Sequence, residues 1–404
     1  MRSREVPDSG IKVAYFGLDC TDRNTIKRIA EFRGIGIDVI GFTFRRDRLN
    51  REYEPEWNNV HLGKTWDRRY VLRIPKLIAA LPRILQHRHE LRDVTFICAR
   101  NVDLLALALL VRSILRLRVP VVYEVIDIQR IFLGEGPVSR AIRAAEKAMM
   151  RNVKVLALSS PAFHRAFYAP VQGYTGPWVL LENKVTGVQM EASAAVYEAQ
   201  EKWRDIRDRW VIGWFGTLRC PRSPHILAAI ADRMGDRVQV YLRGYPTETG
   251  LDPLLSLVRT RPNMVYEGEY RSPHDLADLY ARVHFNWCID FLDEGGNSDW
   301  LLPNRLYEGG FYGAVALAVE GTEISRVVDE RDLGYVLTEP LEQTIPDLLE
   351  KLDRGTYSTK RERVRARPPT DFADWGQDIR ALCEAVLGRP LPERRPTTVA
   401  AAHQ

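Results

Sequence analysis

The sequence predicts an α/β protein made of two Rossmann-like halves. Short apolar runs of strand length alternate with helix-length segments along most of the chain, the pattern of a parallel sheet covered by helices. The alternation starts afresh at Trp210, after a polar stretch. The 404 residues are also too many for one ordinary core. The boundaries expected are a first domain over 1–172, a link over 173–204, a second domain over 205–368, a returning helix over 369–388, and a disordered Pro- and Arg-rich tail over 389–404.

The first half opens on the strand IKVAYF at 11–16, a helix over 24–34 and a strand over 38–44. No GxGxxG follows the first strand, so no dinucleotide is expected there. Residues 64–92 carry eight basic side chains against two acidic ones, with apolar residues recurring at helical spacing and Trp66 and Tyr70 among them. Such a segment suits an anionic lipid surface, or a solvated helix over the sheet. Pro75 and Pro82 should break or kink it. Strands follow at 94–99, 119–126 and 153–158, with helices at 104–117 and 137–151 between them. Glu124 and Asp127 fall at the end of the strand 119–126, where open α/β sheets place ligand-facing groups. Either could serve as a general base or a structural carboxylate. His164 has no metal-ligand partner at i+4.

The second half opens on Trp210 to Phe215 and the turn at Gly216. Arg219, Arg222 and a helix start at Ser223-Pro224 follow, a set of groups suited to an anion. Later strands end in Arg243-Gly244 and in Gly268-Glu269-Tyr270, so three glycine turns should share one strand edge. The loop DFLDEGGNSDW at 290–300 is acidic but lacks metal-ligand spacing. Its Asn297 and Ser298 could meet sugar hydroxyls. In LLPNRLYEGGFYGAVALAVEGTE, Pro303 suits the first turn of a helix, which places Asn304 and Glu308, four apart, on one face. Gly313 ends that helix and 314–319 is a buried strand. Gly321 and Thr322 turn into a further helix whose N-terminus could take a phosphate.

These motifs resemble a GT-B glycosyltransferase related to family 4, in particular the ExoL-like bacterial exopolysaccharide enzymes. The resemblance covers nearly the whole chain and is most specific in the second half. It rests on Gly216 with Arg222, on the glycine turns at Gly244 and Gly268, and on Pro303-Asn304-Arg305-Leu306-Tyr307-Glu308. Asn297 to Trp300, leading into that motif, echoes the ExoL-like group. The resemblance implies two Rossmann-like domains facing a central cleft. It implies that Glu308 holds ribose hydroxyls, that Arg219 and Arg222 hold a diphosphate, and that the backbone around Asn304 supports phosphates or sugar. Arg243, Gly244, Tyr270, Asn297 and Arg305 complete the expected donor site. Two positions depart from the family. Trp300 stands where a first glutamate is usual, and Ile126 where a histidine is. The departures make Asp127 or Glu124 a candidate base for an inverting reaction.

The expected function is transfer of a hexosyl or hexuronosyl unit from a nucleotide-diphosphate sugar, UDP-linked, to a lipid-linked oligosaccharide. No metal or other cofactor is expected, because arginines and a helix start can meet the diphosphate charge. A sugar-nucleotide epimerase or a non-catalytic nucleotide-binding protein of the same architecture is the alternative. The net charge of +5 is too small to argue for nucleic acid. Five cysteines, an odd number without a CxxC pair, suit a reduced compartment. There is no apolar run of about 18 residues, and the polar start MRSREVPDSG is unlike a signal peptide. The expected location is the cytoplasm, at the inner face of the membrane.

Overall fold

The computed structural model describes residues 10–46, 52–65, 70–187, 209–247 and 250–392. Seven strands form the first sheet: β1 (Lys12–Gly17), β2 (Asp38–Arg45), β3 (Asn58–Lys64), β4 (Phe96–Arg100), β5 (Val121–Val125), β6 (Val155–Leu158) and β7 (Trp178–Leu180). After a short β8 (Val185–Thr186), six strands form the second: β9 (Trp210–Thr217), β10 (Val238–Tyr245), β11 (Met264–Tyr266), β12 (Phe285–Trp287), β13 (Val315–Val319) and β14 (Gly334–Leu337). The orders are β3-β2-β1-β4-β5-β6-β7 and β11-β10-β9-β12-β13-β14. All neighbours in both sheets are parallel.

Parallel strands covered by helices on both faces are continuous apolar runs rather than alternating ones. β4 and β13 are buried at every residue. Strand order reverses between β1 and β4, and between β9 and β12. At such a switch point the helices leave on opposite faces, and a crevice opens beyond the strand C-termini. One apolar cluster runs from Phe42, Leu105 and Leu158 of the first half to Leu302, Leu306 and Tyr307 of the second. The two halves therefore share packing.

The chain returns at its end. Helix Gln377–Leu387 buries Ile379, Leu382, Cys383 and Val386 against Val13, Phe96 and Val155 of the first sheet. It starts later than expected because Ala373–Asp374 pairs with β8 instead.

The expected break at Pro75 and Pro82 is absent, since both lie inside helix Tyr70–Gln86. The two prolines are exposed and seven apart, so they fall on the solvent side. The carbonyls they leave unbonded can be satisfied there by water. The expected tail from 393 on, the link from 188 to 204 and residues 66–69, Trp66 included, lie outside the described residues. Among the described residues, no helix is long and apolar enough to cross a membrane. The five cysteines are buried and free.

Candidate active site

The two switch points face each other across a cleft of about 1200 Å³. The first half contributes Asp19 and Asp22 of the loop after β1, Arg23 and Lys27 of the helix Arg23–Gly34 that follows, and Asp127 after β5. The second contributes Gly216 after β9, Arg219, Tyr270, Asp290 after β12, and Asn304, Arg305 and Glu308. Each group is set by a local turn. Asp22 caps the first helix by accepting the Thr25 N–H at 3.1 Å, which brings Arg23 to the rim. Gly216 has φ +103°, a conformation that favours glycine. Pro303 caps helix Asn304–Phe311 and aims its start into the cleft.

The second half's wall is cationic with buried counter-charges. Arg219 Nε donates to Asp290 Oδ2 at 2.7 Å. Burial would raise the Asp290 pKa, but Arg219 and Arg305 outweigh it and hold it below the usual carboxylate range. Arg305 donates from Nη2 to the Ile289 carbonyl at 3.1 Å, while its buried Nε has no partner. The first N–H groups of helix Asn304–Phe311 add positive character beside it. Glu308 is 1% exposed. Its Oε1 accepts from Arg23 of the first half, and its Oε2 from the Tyr280 hydroxyl at 3.3 Å. Gly309 and Gly310 let the helix press against its support. A Cβ on either would meet Asn286 or the Phe372 ring at 2.2 Å.

On the opposite wall Asp127 is exposed, and its Oδ1 accepts from Asn297 Nδ2 at 3.2 Å. Glu124, three residues earlier, is 3% exposed. Its carboxylate receives Arg28 Nε at 2.8 Å and Arg100 Nε at 3.1 Å. Burial pushes its pKa up, yet Arg100 and Arg28 prevail and bring it to about 2. As a base for a hydroxyl proton Glu124 is thus corrected: it is the buried centre of an ion-pair network. Asp127 is the carboxylate that reaches the cleft.

No family model matches the chain. It is 35% identical over 379 residues to the succinoglycan biosynthesis protein ExoL of Rhizobium meliloti (strain 1021), covering 93% of this chain and 92% of ExoL. The chain belongs to the ExoL family of GT-B glycosyltransferases. Solved structures agree on the fold. Sucrose-phosphate synthase from Thermosynechococcus elongatus aligns with a TM-score of 0.70 at 13% identity, over 94% of this chain and 99% of that one. Anabaena HepE, in complex with UDP and glucose, aligns with a TM-score of 0.68 at 14% identity, over 94% and 100%.

In this ExoL-family chain several motif residues lie away from the cleft. Arg222 pairs with Glu339 at 2.7 Å and Glu294 at 3.5 Å, and stacks over Phe291. Its helix starts at Arg222, one residue before the expected cap, and Ser223 instead accepts from Trp287 Nε1 at 3.2 Å. Arg243 braces the next turn by donating to the Gly268 and Glu269 carbonyls. Gly244, at φ +130°, lets β10 close on β9, since a Cβ there would lie 1.8 Å from the Gly216 carbonyl oxygen. Asn297 is 3% exposed and bonded to the first half rather than open to sugar hydroxyls. The helix after Thr322 has a capping box, and Glu323 beside it pairs with Arg165, so its start is not a phosphate site. Sequence reasoning missed Arg23 and Lys27. The capping Asp22 just before Arg23 was the available signal. Among the described residues, no group of three or more His, Cys, Asp or Glu could hold a metal ion.

Proposed function

We propose that this ExoL-family enzyme moves a hexosyl or hexuronosyl unit from a UDP-sugar to a lipid-linked oligosaccharide at the inner face of the membrane. The carrying observation is the pairing of walls: an open carboxylate, Asp127, faces Arg219, Arg305 and a helix start across one cleft. The acceptor hydroxyl oxygen would attack the anomeric carbon while Asp127 takes its proton. The bond from that carbon to the β-phosphate oxygen breaks, and the diphosphate leaves toward Arg219 and Arg305. With attack and departure on opposite sides, the anomeric centre inverts. These cations can meet the leaving charge themselves, so turnover is proposed without a metal. Glu308 would accept ribose hydroxyls on the lone pairs that Arg23 and Tyr280 leave open.

The donor class is supported by HepE, whose complex contains UDP and glucose, and the setting by ExoL, a succinoglycan biosynthesis protein. Contact with lipid is supported by helix Tyr70–Gln86, whose outer side exposes Ile74 and Ile78 near Lys76 and Arg83. Arg73 belongs to a different side of it. It is buried and pairs with Asp103 at 3.1 Å.

The test is calorimetric titration of the full chain with UDP, GDP and ADP, in chelator, beside Glu308→Ala. UDP should bind, and the variant should weaken it by about tenfold or more, the loss of one charge-assisted hydrogen bond. Absence of nucleotide binding, or equal binding by the variant, overturns the donor site. Release of UDP from UDP-sugars without any acceptor would point to an epimerase or hydrolase.

A further inference from the structure

We infer that Asn297 is a positioning residue for Asp127: the second domain fixes the carboxylate that the first domain presents. The inference rests on Asp127 as the base proposed above. Asn297 reaches across the domain boundary and makes two hydrogen bonds there. Its Oδ1 accepts the Ile128 N–H at 2.9 Å, and its Nδ2 donates to Asp127 Oδ1 at 3.2 Å. A backbone N–H can only donate, so the amide oxygen must face Ile128 and the amide nitrogen must face Asp127. One side chain therefore grips both the backbone after Asp127 and one of its carboxylate oxygens. The other oxygen, Oδ2, is left for an incoming hydroxyl.

Asn297 is itself held from both sides. Arg130 of the first half pairs with Asp293, and the Ser160 hydroxyl donates to the Trp300 carbonyl. Within the loop, Ser298 Oγ accepts the Asp293 N–H at 2.8 Å and donates to Asp290 Oδ1 at 3.3 Å. Asp290 is also the partner of Arg219. The loop 290–300 thus joins the cation of the donor wall to the donor group on the candidate base. Asp127 is fully oriented only when the two domains are closed on each other.

The charged groups around Asp127 are few. Arg219 lies across the cleft, its charge shared among Asp290, Asp127 itself and Asp293, and Arg130, paired with Asp293, opens the short helix that follows Asp127. Glu146 lies behind it, on the wall of a small cavity that Asp127 also lines. Against that background, an N–H donor on Oδ1 fixes the direction in which the other carboxylate oxygen points.

The test measures kcat and KM for transfer from UDP-glucose to a detergent extract of lipid-linked saccharides, together with UDP binding. It uses the full chain and its Asn297→Ala, Asn297→Asp and Asp127→Asn variants. Asn297→Ala should lower kcat about 10- to 100-fold, the cost of a misplaced group, with UDP affinity unchanged. KM for UDP-glucose should stay near its wild-type value, so that the loss falls on kcat. Asn297→Asp keeps the acceptor for Ile128 but replaces the donor to Asp127 with a second carboxylate, so it should lower kcat at least as far. A role in folding alone would weaken UDP binding along with the rate. Wild-type kcat in both Asn297 variants, with Asp127→Asn inactive, would overturn the positioning role and leave the base. Full activity in Asp127→Asn would instead overturn the base itself. If Asn297→Ala loses its fold, seen as loss of UDP binding, Asn297→Asp carries the same test.

Discussion

Glu124 and Asp127 are three positions apart and face different surroundings. Asp127 is exposed after its strand has ended, whereas Glu124 is on β5 itself and turns into the domain. Two guanidiniums and the Tyr15 hydroxyl surround Glu124, and Arg100 also pairs with Asp22 beside the cleft. This network fixes Asp22, at the end of the loop after β1, and so the start of the helix that carries Arg23. Its worth depends on pH. The Glu124 pKa falls from 4.5 to about 2 on folding. Between those values the unfolded chain binds more protons, so stability rises with pH there. The contribution, on the order of 3 kcal/mol, is present above about pH 4.5 and lost as pH falls toward 2. Glu124→Gln removes the charge that two buried arginines share, leaving Arg28 with Glu31 and Arg100 with Asp22, and should cost roughly 3 kcal/mol at neutral pH. Urea unfolding should show this loss, and a flatter stability profile between pH 4.5 and 2. A variant as stable as wild type, with the same acid profile, would show that the network carries little.

Elements buried on both faces were the legible ones. β13 is a continuous apolar run and β4 is one up to Arg100, and the sequence placed both. β3 and β14 went unseen. They are edge strands, partly exposed; β3 is broken by polar residues, and β14 is only four residues long. Helices Leu341–Lys351 and Arg354–Arg365 were also missed; the second is dominated by polar and charged residues. At the site, the four-residue spacing of Asn304 and Glu308 placed both on the cleft. The partner of Glu308 was illegible because Arg23 lies 285 positions away. Arg222 read as an anion ligand and Arg243 as a donor-site residue because sequence does not show which arginines already have carboxylate or carbonyl partners. The three glycine turns read alike too, yet of Gly216, Gly244 and Gly268 only Gly216 lines the cleft. Gly244 serves the contact between β10 and β9, where an added Cβ would meet main-chain atoms that cannot rotate away. Gly244→Ala should therefore destabilise the second domain by more than about 2 kcal/mol. Gly235→Ala is a control at a positive φ with open space around it, and should cost less. Equal thermal midpoints for the two would refute the contact argument.

At the scale of the molecule, four of the seven large exposed apolar side chains among the described residues of the first half lie on two neighbouring helices. Helix Tyr70–Gln86 packs beside helix Val102–Ile114, and the Arg73–Asp103 ion pair joins them. The first exposes Ile74 and Ile78 at 57% and 63%; the second exposes Leu110 and Ile114 at 45% and 46%. Lys76, Arg83 and Arg116 lie on or next to these helices. A basic surface with exposed branched side chains suits an anionic bilayer: the charges draw the protein in and the apolar groups enter the interface. Electrostatic attraction decays with salt, whereas apolar burial does not. Full-chain protein should therefore cosediment with phosphatidylglycerol vesicles and only weakly with phosphatidylcholine vesicles. Added salt should reduce that binding without abolishing it. Ile74→Glu combined with Ile78→Glu changes two exposed side chains, so the fold and UDP binding should persist while vesicle binding falls about tenfold or more. If the double variant cosediments like wild type, the attraction is charge alone and this helix does not enter the lipid. If wild type fails to bind anionic vesicles, the acceptor must reach the cleft without the enzyme docking through this surface.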